Sequence, residues 1–292
     1  MRARDALKQA RARLGESGVE EPGFEAEFLL RHALGCTRED LLMGLDSEAS
    51  PSAQLLFKSV IERRSRGEPS AYIIGHKEFY GLDFKVDPRA LIPRPETELL
   101  VELALAFAAR HGARGEGLKI DEVGVGCGAI SVALAVRLPG ARIVATDIST
   151  AALELARENI VHHGVEGRVT LLESDLLGPV NGPIDILVSN PPYVRSGDIS
   201  GLEREIRDHE PLVALDGGPD GMAVIDRLMR QARDRLAPGG AMFIEIGCEQ
   251  GKEVTGHARH LWPDAQTSIT PDLADLDRVL TLYTPLPIPQ PT

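Results

Sequence analysis

Between residues 95 and 283, apolar runs of strand length alternate with stretches of helical period, and this alternation constrains the fold more than any other feature. Strand-type runs fall at 118–123, 142–146, 169–173, 184–189, 241–246, 266–269 and 278–283. Helical periodicity falls at 95–110, 128–138, 150–163, 222–236 and 250–260. Strand, helix, strand order requires crossover connections, which give a mostly parallel sheet with helices on both faces. The predicted class is α/β.

Residues 1–66 read instead as short amphipathic helices. Leu7, Ala10 and Leu14 share one face, and Phe24, Phe28 and Leu29 recur at helical spacing after Pro22-Gly23. Ser50-Pro51 is an N-cap followed by proline at the first helical position. That helix runs through Leu55, Leu56, Val60 and Ile61 to Arg63-Arg64-Ser65-Arg66-Gly67, where cations suit a helix C-terminus and glycine ends it. Over 70–92, Tyr72-Ile73-Ile74 and then Leu82, Phe84 and Val86, alternating around Tyr80-Gly81, predict a β-hairpin. A length of 292 residues suits about two domains, and the hairpin is the natural hinge.

The net charge of −12, carried mostly beyond residue 80, opposes a broad electrostatic grip on nucleic acid. No apolar run reaches membrane-spanning length, and Met1 to Lys8 has no apolar signal region, so the cytoplasm is the expected compartment. Cys36, Cys127 and Cys248 stand singly, which suggests neither a zinc site nor a disulfide framework. His162 and His163 are helix neighbours that share no face, so no metal is expected.

The run Leu118 to Val123 enters Gly124-Val125-Gly126-Cys127-Gly128-Ala129, a strand, glycine turn, helix unit in which a cofactor can approach the backbone closely. The same letters satisfy a dinucleotide fingerprint, so a dehydrogenase stays open at this point. The next strand ends in Asp147, where a carboxylate can accept both ribose hydroxyls of an adenosine; Asp147 or Ser149 equally suits a helix cap. Ser174-Asp175 follows the third strand, where an adenine edge would lie or where a turn carboxylate would serve.

The fourth strand ends in Asn190-Pro191-Pro192-Tyr193, at the carboxyl edge where open α/β sheets bind ligands. Two prolines stiffen the loop and contribute no N–H, so the Asn190 and Pro191 carbonyls are free to accept, beside the Asn190 side-chain oxygen. Two acceptors suit an NH₂ group: held by both hydrogens, its lone pair faces an electrophile, with the Tyr193 ring as an apolar neighbour.

On these residues the chain resembles the class I S-adenosylmethionine-dependent amino methyltransferases, and more closely the HemK/PrmC family of glutamine N5-methyltransferases that act on peptide chain release factors. Further matching strings are Leu91-Ile92-Pro93-Arg94-Pro95-Glu96-Thr97-Glu98, Glu210-Pro211, Leu215-Asp216-Gly217-Gly218, Asp220-Gly221 and Asp277-Arg278. The resemblance implies an N-terminal helical substrate-recognition domain over 1–68, a hairpin linker over 69–93 and a Rossmann-like seven-stranded methyltransferase domain over 94–292. It implies S-adenosylmethionine as cofactor, leaving as S-adenosylhomocysteine, bound by Glu122, Gly124, Val125, Gly126, Cys127, Gly128, Asp147, Ile148, Asp175, Leu176 and Asn190. It places the catalytic grip on Asn190, Pro191, Pro192 and Tyr193, with Arg94, Glu96 and Thr97 bordering the substrate.

Two departures stand out. Relatives usually carry Asp two residues before the first glycine, whereas here Glu122 follows Asp121, and which of them meets the methionine ammonium is open. The residue after Ser174-Asp175 is often aromatic in relatives and here is Leu176. The competing readings are a ribosomal-protein glutamine methyltransferase, a DNA or RNA amino methyltransferase, which the charge disfavours, and a non-catalytic cofactor-binding partner protein. A release factor is the expected partner, with neither membrane nor nucleic acid as ligand, and a monomer is expected because a protein substrate must reach both domains.

Overall fold

Prolines, glycines and short polar caps cut the N-terminal stretch into helices. α1 (Ala3–Glu16) buries Ala3, Ala6, Ala10 and Leu14. α2 (Pro22–Leu34) opens on proline and stops at Gly35 in the left-handed conformation. α3 (Arg38–Met43) starts in a capping box between Thr37 and Asp40, and α4 (Pro51–Ser65) starts where the Ser50 hydroxyl accepts from the Ala53 N–H at 3.2 Å. α5 (Ser70–Ile74) completes this group.

One expectation needs correction here. Tyr72-Ile73-Ile74 forms α5 and not a strand: three consecutive apolar residues carry no period, Gly75 closes a helical turn at φ 80°, and Ile73 packs into the helical core. Phe24 and Leu55 are 62% and 71% exposed. The buried stripe of α4 is Phe57, Val60, Ile61 and Arg64, and that of α2 is Ala26, Leu29 and Leu30. Arg64 is buried because Glu25 accepts from its Nε at 2.9 Å and Glu205 pairs with its other end.

The computed structural model describes residues 1–111, 115–178, 180 and 182–286. β1 (His76–Phe79) and β2 (Leu82–Lys85) form the hairpin around Tyr80-Gly81. Then follow α6 (Glu98–Ala108), β3 (Lys119–Val123), α7 (Ala129–Arg137), β4 (Arg142–Asp147), α8 (Thr150–His162), β5 (Val169–Glu173) and β6 (Ile184–Ser189). The chain ends with α9 (Arg204–His209), α10 (Ala223–Arg233), β7 (Leu236–Glu245), α11 (Gly251–Leu261), β8 (Gln266–Pro271) and β9 (Asp277–Tyr283). Of the proline-rich tail, residues 287–292 lie outside the described residues.

The large sheet has strand order β5-β4-β3-β6-β7-β9-β8, with β3 to β7 parallel and β9 antiparallel to both its neighbours. On one face Leu187, Met242, Ile244 and Leu280 pack against Ile225, Leu228 and Met229 of α10 and Val254 and Ala258 of α11. At an alternate position Phe243 meets Phe107 of α6 edge-on at 6.5 Å, as a sheet covered on both sides requires. The chain builds outward from β3 through β4 to β5, then restarts on the other side of β3 with β6. Val123 pairs with Ser189, so the loops leaving β3 and β6 emerge side by side at the topological switch point, where α/β sheets bind ligands.

Contacts divide the chain into two units, Met1–His76 with Leu202–His209, and Lys77–Gly201 with Glu210–Thr292. The hairpin thus groups with the sheet unit, and α9, encoded deep within the second half, groups with the N-terminal helices. No sequence signal marks that excursion.

Candidate active site

The loops after β3, β4, β5 and β6 enclose a cavity of about 560 Å³ within the sheet unit. Gly124, Gly126 and Gly128 all take positive φ (77°, 53° and 88°), which explains why three glycines stand in one five-residue turn. Gly128 sits against the backbone of Ala156, and a Cβ there would come within 3.4 Å of it. Asn159 of α8, buried, clamps the turn: its Nδ2 donates to the Cys127 carbonyl at 2.8 Å and to the Lys85 carbonyl at 2.9 Å, and its Oδ1 accepts from the Lys85 N–H.

Of Asp121 and Glu122, only Glu122 lines the cavity, because consecutive strand residues face opposite sides. It accepts a hydrogen bond from Ser131 of α7. Burial pushes its carboxyl up to about 8 against that bond, and burial pushes Asp121 up to about 7. A cation entering the cavity would restore the charge of Glu122.

Asp147 is part of the wall and not a cap; Ser149 caps α8 by accepting from the Ala152 N–H. Each Asp147 oxygen accepts one backbone N–H, from Gly126 at 3.0 Å and Ser149 at 2.9 Å, which fixes the carboxylate and leaves a lone pair on each oxygen for a further donor. Burial raises its pKa, opposed by those N–H groups. Asp175 is paired with Arg227 of α10, and both line the cavity with Ile148 and Leu176. Cys127 also lines it, buried, and burial pushes its thiol up to about 12, so it is a small packing residue and no nucleophile.

Asn190, Pro191 and Pro192 close the cavity on the β6 side. Among the described residues no N–H donates to the Asn190 or Pro191 carbonyl, whereas the Tyr193 carbonyl takes Gln250 Nε2 at 3.2 Å. The Asn190 side chain donates from Nδ2 to Thr97 Oγ1 at 3.1 Å, and Thr97 donates to Glu245 Oε2 at 2.7 Å. Tyr193 donates to Glu245 Oε1 at 3.2 Å.

Several predicted residues stand elsewhere. Tyr193 is not in the cavity wall; its ring packs toward the hydrophobic core and its hydroxyl is held by Glu245. Burial raises its pKa further above the ordinary phenol value. Gly128 lies behind the turn as the N-cap of α7. Arg94 and Glu96 do not line the cavity: Arg94 is engaged by the buried Glu210, which also accepts from the Ile92 N–H at 3.3 Å. Only Thr97 of that trio reaches the wall.

Residues outside the predicted set brace the loop. Gln250 bonds Tyr193, Gly221 and Gly247 at once. A Cβ on Gly217 would lie 2.8 Å from both the Pro192 carbonyl oxygen and the Tyr193 Cα. Such bracing has no local signal beyond the glycines themselves. His163, set aside as a metal ligand, contacts the Asp83 carbonyl through Nε2 at 2.9 Å and packs on Phe84.

Known families match both regions of the chain. The PrmC N-terminal domain family matches residues 5–75 and the Methyltransferase small domain family residues 99–205. A release factor glutamine methyltransferase of Moorella thermoacetica is 44% identical over 284 residues, spanning 97% of this chain and 99% of its own length. One of Geobacter sulfurreducens is 39% identical over 279 residues, 95% of each chain. A methyltransferase structure from Pyrococcus furiosus shares the fold, with TM-score 0.50 at 20% identity over 72% of this chain and 92% of its own.

Proposed function

The chain belongs to the release factor glutamine methyltransferase family, and from that premise we propose how its residues perform the methylation of a release factor glutamine. The acceptor is the side-chain amide nitrogen, N5, of the glutamine in a Gly-Gly-Gln motif. The carrying observation is the pair of carbonyls at Asn190 and Pro191 that take no N–H among the described residues, beside the Asn190 amide, on the wall of a cavity also lined by the glycine turn and by Glu122 and Asp147.

S-adenosylmethionine fits that cradle. Gly124 and Gly126 would let the methionine part pass close to backbone, Glu122 would take its ammonium, Asp147 has two lone pairs to offer ribose hydroxyls, and Ile148, Asp175 and Leu176 would border adenine. When bound, the cofactor supplies a methyl group on a sulfonium.

The protein's own contribution is positioning and desolvation. Acceptors drawn from the two carbonyls and the Asn190 side-chain oxygen would take the two amide hydrogens and so set the direction of the nitrogen lone pair; the rigid Pro191-Pro192 pair holds the carbonyls without a reorganisation cost. The nitrogen would gain the methyl carbon as that carbon's bond to sulfur breaks, the bonding pair staying on sulfur; it becomes acidic in doing so, so its proton leaves to solvent and no strong base is needed.

The test is transfer of labelled methyl from S-adenosylmethionine to a purified release factor, beside the same factor with its motif glutamine changed, a ribosomal-protein fraction and RNA. Label on the unchanged factor alone is the expected result. Label on RNA or ribosomal protein in its place overturns the reading.

A further inference from the structure

We propose that Glu245, acting through Thr97, sets the rotation of the Asn190 side-chain amide so that Oδ1, and not Nδ2, faces the substrate glutamine. This rests on the glutamine reading above, which leaves open which of the two amide atoms is presented.

Glu245 ends β7 and is 1% exposed, on a strand separate from the two that carry the cofactor turn and the Asn190 loop. It bonds two groups, the hydroxyls of Thr97 and Tyr193. An ionised carboxylate has no proton to donate, so each hydroxyl must spend its single proton on it. Thr97 Oγ1 is then an acceptor for anything else, and its other neighbour is the Asn190 amide. Only Nδ2 can satisfy that acceptor. Oδ1 is thereby turned away from Thr97, toward the cavity that both Asn190 and Thr97 line.

The relay survives one of the two positions a proton on Glu245 could take. Burial raises the Glu245 pKa, while Thr97, the Arg278 guanidinium and Tyr193 oppose the rise. A proton on Oε1 would be given to Tyr193 and leave Oε2 accepting from Thr97 as before; only a proton on Oε2 would reverse the relay.

The consequence for the reaction is one of sign. The substrate nitrogen carries two donors. Oδ1 facing it adds an acceptor to the backbone carbonyls; Nδ2 facing it would set donor against donor and push the lone pair out of line. Glu245 does not line the cavity and is a positioning residue, reaching Asn190 through one hydroxyl.

Thr97→Val preserves shape and removes the hydroxyl, Thr97→Ser preserves the relay, and Glu245→Leu removes both acceptors, so that the Thr97 proton is free to turn to Asn190. Each is assayed for kcat and KM with intact release factor and for S-adenosylmethionine affinity by calorimetry. Side-chain amide spectra come from protein labelled with ¹⁵N-asparagine, of which the chain has Asn159, Asn181 and Asn190. We expect Thr97→Val and Glu245→Leu to lower kcat about 100-fold, the scale of losing one preorganised hydrogen-bonding group at a reacting centre. Cofactor affinity should stay within about twofold, and the double variant should lose much less than the product of the single losses, because both act on one amide. The Asn190 amide protons should shift and exchange faster in both variants, and Thr97→Ser should restore signal and rate. Thr97→Val with unmoved Asn190 signals, or with kcat within about twofold of wild type, overturns the proposal. Wild-type protein that methylates no release factor, yet whose Asn190 signals respond to Thr97→Val, upholds the orientation and sinks the substrate reading.

Discussion

Gly221 lies so close beneath Tyr193 that a Cβ on it would stand 2.4 Å from the Tyr193 carbonyl oxygen and 2.7 Å from Gln250 Nε2. The backbone of the Asn190 to Tyr193 loop is therefore braced by an absence of side chain. Gly221→Ala must displace the loop or break the Gln250 bridge, and its φ of 77° adds left-handed strain. We expect kcat to fall by about 10-fold or more, since small displacements at a reacting centre are costly. Gly167→Ala, where nothing lies within 4 Å, should leave both rate and stability unchanged.

Glu122 makes the stability of the cofactor-free protein depend on pH. Its folded pKa of about 8 lies above the ordinary carboxylate value, so the native state binds the proton more tightly than the unfolded chain. Stability from this group is full in acid and declines as pH rises from about 4.5 toward 8. Asp121, raised to about 7, adds a decline of the same sign. Thermal unfolding from pH 5 to 8 should show a wild-type Tm that falls by about 3 °C or more beyond that of Glu122→Gln. Equal slopes would contradict the burial argument.

Asn159 spends both of its donor hydrogens on carbonyls and accepts one backbone N–H. Asn159→Asp is nearly isosteric but sets carboxylate oxygen against the Cys127 and Lys85 carbonyls. Urea unfolding should show a loss of roughly 2–4 kcal/mol, the scale for buried groups left unpaired or opposed. S-adenosylmethionine affinity should fall with it, because the clamped Cys127 carbonyl belongs to the cofactor turn.

Arg64 joins Glu25 of α2 to Glu205 of α9 within the N-terminal unit. Arg64→Met leaves two carboxylates without their buried partner. The expected cost is roughly 2–4 kcal/mol, at or below the scale for a broken buried pair because Glu205 is partly exposed. Glu205→Ala should free α9 without emptying the core, and trypsin cleavage after Arg204 and Arg207 should then accelerate. Unchanged cleavage would mean that other contacts hold α9.

The sheet strands beyond residue 95, the glycine turn and the Asn190 loop were legible in the sequence because each is written locally, in strand or helix period or in residues that admit few backbone conformations. Gly124 to Gly128 can serve little but a close approach, and Pro191-Pro192 can serve little but a rigid acceptor loop. The choice between Asp121 and Glu122, the pairing of Arg94 with Glu210 and the retreat of Tyr193 behind the wall were decided by tertiary structure. So were the helical state of Tyr72 to Ile74 and the exposure of Phe24. Each depends on which neighbours removed that residue from water, and those neighbours lie tens of positions or more away in the chain. Thr97, Asn190 and Glu245 show the division most clearly: their residue types were on view from the start, but the direction of the protons that join them exists only once α6, β6 and β7 are packed together.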